Sequence, residues 1–265
     1  MITKKVLVLG ASGQIGRHLI RKLTKNNYVV TAVTRNLHQK GYSLKTQSPI
    51  GFLEIIEENI FNQEKLNNII KNHAICINLI GILFEKKNNT FQNIHVNFPS
   101  ILSKACKDNN IEKLIHLSAL GIEKSIDSNY AISKLEGENK IKNNFQGAVI
   151  LKPSIVYSVD DNFTTNFMTL LNRLPFMPLY YEGKTKFTPL HVTDLAQIIF
   201  DVVQGKVNEK TIECIGPEIF SFKEIIIKLL KAIDKKRLLI PLPLALAKMS
   251  AKFFELMPNP LLTTD

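Results

Sequence analysis

The 265-residue chain has only three cysteines, Cys76, Cys106 and Cys214, far apart and without a Cys-x-x-Cys pair. That spacing excludes a zinc knuckle and a disulfide framework, and predicts buried thiols in a reducing compartment. Long apolar runs are missing as well. The best candidate, 238–254, is interrupted by Pro241, Pro243, Lys248 and Lys252, so no membrane span is expected. The N-terminal Lys4-Lys5 followed by Val6–Leu9 imitates a secretory leader, but the run is too short for one. Acidic residues are scarce, 23 against 34 lysines and arginines, for a net charge of +11. The lysines are scattered among asparagine and isoleucine with no basic stripe or interleaved aromatics, which argues against nucleic acid and leaves docking at an anionic membrane surface or an acidic complex. Repeats and low-complexity linkers are absent. Asp160-Asp161 and Glu57-Glu58 have no His or Cys at ligand spacing, so no metal is expected and both pairs read as solvated loops.

What is present is concentrated at the start. Val6-Leu7-Val8-Leu9 runs into Gly10-Ala11-Ser12-Gly13-Gln14-Ile15-Gly16-Arg17 and continues as a helical pattern. Gly10 permits a sharp turn at the end of a buried strand, Gly13 lets a pyrophosphate touch the main chain, and Gly16 lets the helix sit close to the sheet. The helix N-terminus then offers N–H groups and a positive dipole end to phosphate. The strand before and the helix after this Gly-x-x-Gly-x-x-Gly make it a nicotinamide dinucleotide site. No acid stands at the end of the second strand to grip a ribose 2′-hydroxyl. Arg35 is there instead, with Arg17 just past the third glycine. Two guanidinium forks suit a 2′-phosphate, so NADP(H) is expected over NAD(H).

Strand-like and helix-like segments alternate through the first 155 residues. The expected strands are 5–10, 28–34, 52–57, 74–80, 112–118 and 147–152, with helices near 14–26, 63–72, 91–109 and 129–144. Their short Val/Ile-rich runs imply an α/β fold, a Rossmann-type doubly wound parallel sheet with its crevice at the carboxyl ends of the strands. Residues 1–155 form the cofactor-binding domain, and 156–265 a smaller C-terminal α/β region that roofs the crevice. In that region 162–174, 192–203, 222–234 and 243–256 read as helices, Pro175, Pro178 and Pro189 as loop punctuation, and the final Leu261–Asp265 as a shortened end.

Tyr130 and Lys134, four residues apart at a helix start, share one face. A positive neighbour lowers a phenol's pKa toward proton exchange with a carbonyl or hydroxyl, and the lysine can also hold the nicotinamide ribose. His116 and His191 read as structural.

With these motifs the chain resembles the short-chain dehydrogenase/reductase superfamily. The likeness is carried by the three glycines, by Asn78-Leu79-Ile80-Gly81, by Ser118, and by Tyr130 with Lys134. Two further blocks, 151–157 and 189–196, are similar to the extended, epimerase-like branch. The resemblance implies Tyr130, Lys134 and Ser118 as the catalytic set. It implies Asn59 and Ile60 at the adenine, Leu79, Ile80 and Gly81 at the nicotinamide ribose, and Lys152, Pro153, Ser154 and Ile155 near the carboxamide. More narrowly, 161–163, 182–189 and 259–265 are similar to the NADPH-binding accessory subunit of respiratory complex I and its bacterial relatives, where the cofactor is held structurally. Ser118 is followed by Ala119-Leu120-Gly121 rather than further hydroxyls, and only twelve positions separate it from Tyr130, which favours binding over turnover. The expectation is a structural NADP(H) subunit supporting a respiratory NADH:quinone oxidoreductase, in a bacterial cytoplasm or peripheral at the inner membrane, with a mitochondrial matrix as the eukaryotic setting. The alternative is a free NADPH-dependent oxidoreductase or sugar-nucleotide epimerase/dehydratase with Tyr130 as acid/base.

Overall fold

The computed structural model describes residues 4–87 and 89–242; the expected helix 243–256 and the block 259–265 lie outside them. In chain order the elements are β1 (Lys5–Leu9), α1 (Gln14–Lys25), β2 (Val29–Thr34), α2 (Leu37–Lys45), β3 (Leu53–Glu57), α3 (Gln63–Ile70) and β4 (Ile75–Asn78). A π-helical turn, Gln92–Asn97, leads into α4 (Phe98–Asp108), followed by β5 (Lys113–Leu117), α5 (Asn129–Asn144) and β6 (Ala148–Pro153). Then come β7 (Val156–Tyr157), α6 (Asn162–Arg173), β8 (Phe176–Tyr180), β9 (Lys186–Phe187), β10 (Leu190–His191), α7 (Val192–Val203), β11 (Thr211–Cys214), β12 (Phe220–Ser221), α8 (Phe222–Ala232) and β13 (Leu238–Leu242).

Seven strands form one sheet in the order β11-β6-β5-β4-β1-β2-β3, every neighbouring pair parallel. The doubly wound sheet is as expected, with one strand more: β11, whose four residues alternate exposed and half-buried before ending in buried Cys214, carries no apolar run. The interior strands are buried on both faces, as β1, β4 and β6 show, which is why their sequences lack alternation. After β3 the chain crosses back past β1 to lay down β4, so the strand order reverses beside β1 and opens a crevice at the carboxyl ends of β1 and β4. One helical layer packs Leu66, Ile70, Phe98, Leu102 and Ile141 against the sheet. On the α1 side, Leu19, Ile20 and Leu23 are buried, and Phe200 of α7 meets Tyr28 edge-on at 5.9 Å.

Two compact units result. One is Met1–Pro153 with Val192–Cys214; the other is Ser154–His191 with the described residues from Ile215 on. The second unit has its own core of Phe167, Leu171, Met177, Leu179, Phe222, Ile226 and Leu230. Asp161 is not a solvated loop residue: it is buried and caps α6, accepting from the Thr164 and Ser158 amides. Ser221 and Glu224 form a capping box on α8. Pro178 lies inside β8 rather than in a loop, paired with Ile240 of β13; a two-stranded ribbon is all edge, so proline costs it no interior ladder bond. Among the described residues no helix is long and apolar enough to cross a membrane, and no group of three or more His, Cys, Asp or Glu side chains is placed to hold a metal. All three cysteines are buried.

Candidate functional site

The glycine loop sits at the strand-order reversal. Leu79 N–H donates to Leu9 O at 3.0 Å, tying the chain leaving β4 to the end of β1. Gly10 has φ +79, and a Cβ on it would stand 3.0 Å from the Leu79 carbonyl carbon; both conformation and space require glycine. At Gly16 a Cβ would press to 2.4 Å of Ala11 O, so this glycine allows α1 to start against the loop. Gly13 differs. It is the N-cap of α1 with no side chain capping the helix and no acid in the first turn, and a Cβ there would meet only Gly10 O, at 3.3 Å. Its missing side chain leaves a cradle before the helix N–H groups, the shape a pyrophosphate needs.

In front of the loop lies a cavity of about 260 Å³. Of the expected residues it gathers Gly10, Ser12, Gly13, Arg35, Ile60, Leu79, Ile80 and Gly81, and it adds Val33, Thr34, Glu58, Phe61, Ile82, Asn89 and Ile94. The strand-end residues among the additions could have been found, because parallel neighbours end at the same level. The Asn89 loop has no such signal. Gln14, Ile15, Gly16 and Arg17 form the first turn of α1 behind the loop. Arg17 turns back on that loop, its guanidinium donating to Ser12 O at 2.7 Å, while Arg35 is exposed at the cavity rim. Asn59 does not line the cavity; its side-chain oxygen accepts from Phe61 N–H at 3.1 Å. Glu58 pairs with Lys65 at 2.7 Å, and that bond, with the Asn59 amide, holds its carboxyl below the usual range.

Helix α5 carries the second half of the site. Ser128 caps it, and Tyr130, Lys134 and Glu138 follow at four-residue spacing along one stripe. Lys134 is 5% exposed; its ammonium donates to Leu117 O at 3.2 Å, and a Cβ on Gly81 would stand 3.2 Å from it. Burial pushes Lys134 down to about 8, against the opposing pull of Glu138. Burial also pushes the Tyr130 phenol up to about 12, so in this chain the phenol is a weaker acid than a free one. The ring of Tyr130 meets His95 edge-on at 5.4 Å and Phe91 at 5.9 Å.

Ser118 follows β5 as expected, but its hydroxyl donates to Glu138 Oε1 at 2.6 Å. Glu138 is fully buried and its other oxygen pairs with Lys152 at 3.1 Å. Glu123 closes on the same ammonium. Burial opposes the charge of Lys152, but the two carboxylates outweigh it and raise its pKa. The Lys152 side chain is thus committed to α5 and Glu123. Pro153 ends β6, its carbonyl accepting from Leu120 N–H at 3.0 Å. Ser154 and Ile155 belong to the second unit, where Ser154 Oγ accepts from Thr188 N–H and Ile155 O from Leu190 N–H. Glu138 was findable from helical spacing alone; its link to Lys152 needs the sheet. His116 is buried against Asn78, ring nitrogen to side-chain nitrogen 3.0 Å, and burial with the Lys134 charge holds its pKa far below normal. His191 packs edge-on to Tyr157 at 5.2 Å.

Comparison with known proteins follows the same lines. The chain is 28% identical over 220 residues, 83% of its length, to the mitochondrial NADH dehydrogenase (ubiquinone) 1 alpha subcomplex subunit 9 of Dictyostelium discoideum. It is 23% identical over 242 residues, 91% of its length, to the mitochondrial NADH-ubiquinone oxidoreductase 40 kDa subunit of Neurospora crassa. It spans 61% and 63% of the length of these two relatives. Among solved structures, the NAD complex of UDP-glucuronic acid 4-epimerase from Bacillus cereus superposes with a TM-score of 0.76 at 23% identity, covering 90% of this chain and 87% of that one, which supports the fold. A family model, NAD dependent epimerase/dehydratase, matches residues 6–214. That match runs from the second residue of β1 to the last of β11, through every strand of the parallel sheet, and the chain belongs to the NAD dependent epimerase/dehydratase family.

Proposed function

We propose that this protein binds NADP(H) and holds it mainly as a structural element of a respiratory NADH:quinone oxidoreductase, supporting that assembly's stability. The cradle at Gly13 and the cavity in front of it support this reading. Gly10, Ser12, Gly13, Gln14, Ile15 and Gly16 would hold the pyrophosphate, and Arg35 with Arg17 the 2′-phosphate. Ile60 would border the adenine, and Leu79 to Gly81 with Tyr130 and Lys134 the nicotinamide ribose. When bound, the cofactor supplies a hydride carrier.

Two observations favour binding over turnover. A hydroxyl that polarises a substrate carbonyl must donate to it, and the Ser118 proton is already given to Glu138 at 2.6 Å. The phenol of Tyr130, pushed up to about 12 by burial, holds its proton more tightly than acid/base exchange near neutrality favours. The names of the relatives, mitochondrial subunits of NADH dehydrogenase and NADH-ubiquinone oxidoreductase, support the assembly role.

The second reading, a free NADPH-dependent oxidoreductase or epimerase/dehydratase, draws on the pairing of Tyr130 with a buried lysine whose pKa lies near 8. Purification from its native membrane separates the two. Co-migration with the oxidoreductase, with NADPH unoxidised across sugar-nucleotide and quinone panels, supports the structural role. Steady turnover abolished by Tyr130→Phe overturns it.

A further inference from the structure

His95 is no part of the expected site, yet its side chain contacts both the segment after β4 and helix α5. It lies within the π-helical turn Gln92–Asn97, a local widening of the helix that tends to be retained where it aims a functional side chain. The turn is pressed into α5: a Cβ on Gly137 would fall 1.8 Å from His95 O, so only glycine at 137 lets this backbone in. The imidazole, 2% exposed, then bridges two parts of the site. Its Nε2 accepts from Ile82 N–H at 3.1 Å, which places the ring proton on Nδ1. Nδ1 stands 3.0 Å from Ser133 Oγ and donates to it, and Ser133 Oγ donates onward to Tyr130 O at 2.8 Å. Phe91 stacks on the ring at 5.3 Å, with Tyr130 edge-on to it. Burial and the Lys134 charge push its pKa down to about 3, so the neutral tautomer persists at physiological pH.

The consequence is geometric. Leu79–Gly81 lead directly into Ile82, and a Cβ on Gly81 would stand 3.2 Å from Lys134 Nζ and 3.8 Å from His95 Nε2. We infer that His95 is a positioning residue, a neutral latch that sets the gap between Gly81 and the Tyr130–Lys134 face of α5 and so fixes the nicotinamide-ribose end of the cofactor site. The inference rests on the cofactor reading above. Its effect is expected to be greatest at that end: the ring of His95 hydrogen-bonds Ile82 and Ser133, and neither the glycine loop nor Arg35.

The test compares two ligands on the full-length protein. NADPH spans both ends; adenosine 2′,5′-bisphosphate carries only the adenine end. His95→Leu, which keeps bulk but neither hydrogen bond, is expected to weaken NADPH about tenfold and speed its release, while leaving the bisphosphate unchanged. Equal loss of both ligands would mean a general structural role, and unchanged NADPH binding would mean no role; either overturns the latch. If wild-type protein binds neither ligand, the cofactor reading fails instead. Should His95→Leu not fold, Ser133→Ala carries the same comparison with about threefold weaker NADPH expected, and an unchanged value contradicts the inference.

Discussion

Ser118 and Glu138 are hydrogen-bonded at 2.6 Å, and the bond joins the turn after β5 to the buried stripe of α5. Glu138 faces Lys152 with its other oxygen, so one carboxylate ties together a hydroxyl from the sheet end and an ammonium from β6. Breaking a buried ion pair by removing one partner costs about 3–5 kcal/mol. Glu123 still faces Lys152, so Glu138→Gln is expected at the low end, about 3 kcal/mol. Urea unfolding checks this, and a loss below about 1 kcal/mol would show that the pair contributes little.

The three loop glycines separate binding from folding. Gly13→Ala puts a methyl at the N-cap of α1, 3.3 Å from Gly10 O, so thermal stability without ligand should fall only modestly while NADPH affinity falls at least about tenfold. Gly16→Ala drives its methyl to 2.4 Å of Ala11 O and is expected to lower stability and affinity together. Melting temperatures with and without cofactor distinguish the two outcomes.

Cofactor choice should rest on Arg35, the exposed cation at the cavity rim. Arg35→Ala is expected to weaken NADPH by about tenfold, one charge-assisted contact, and to leave NADH within about twofold. Isothermal titration with both ligands measures the ratio, and a parallel loss of both would remove Arg35 from the specificity argument.

Two buried bases give pH signatures of the same sign in different windows, stability rising with pH in each. His95 stays neutral in the folded protein down to about pH 3 but ordinarily takes a proton near 6.5, so below 6.5 the unfolded chain binds more protons and stability is lost as pH falls toward 3. His95→Gln should flatten that limb. Lys134 gives up its proton near pH 8 when folded and ordinarily near 10.5; between these values the unfolded chain again holds more protons, so this group adds stability as pH rises. Relative to wild type, Lys134→Met should be most stable below pH 8 and lose that advantage by pH 10. Denaturant midpoints across pH provide both comparisons.

The legible parts of this chain are those where local pattern and tertiary role coincide. Val6–Leu9 is apolar because β1 is buried on both faces, and the glycines behind it are needed by backbone contacts that any bound dinucleotide would share. Helix α2 escaped notice because only Gly41 and Leu44 are buried in it, leaving no apolar stripe. β11 joins the sheet by pairing with β6, a partner no local signal announces. The same holds at the site. Tyr130 and Lys134 are visible by helical spacing, whereas His95 enters through a π-turn and a glycine on another helix, and Glu138 acquires its meaning from Lys152 across the sheet.

The central claim is that the glycine cradle and Arg35 bind a phosphorylated nicotinamide dinucleotide. Titration calorimetry of the purified full-length protein with NADPH and with NADH tests it most directly. The account predicts saturable binding of both, NADPH at least about tenfold tighter, with stabilisation growing to about 4 kcal/mol at a thousandfold excess over its dissociation constant. Absence of heat and of any thermal shift with either coenzyme at millimolar concentration, or tighter NADH, would contradict it.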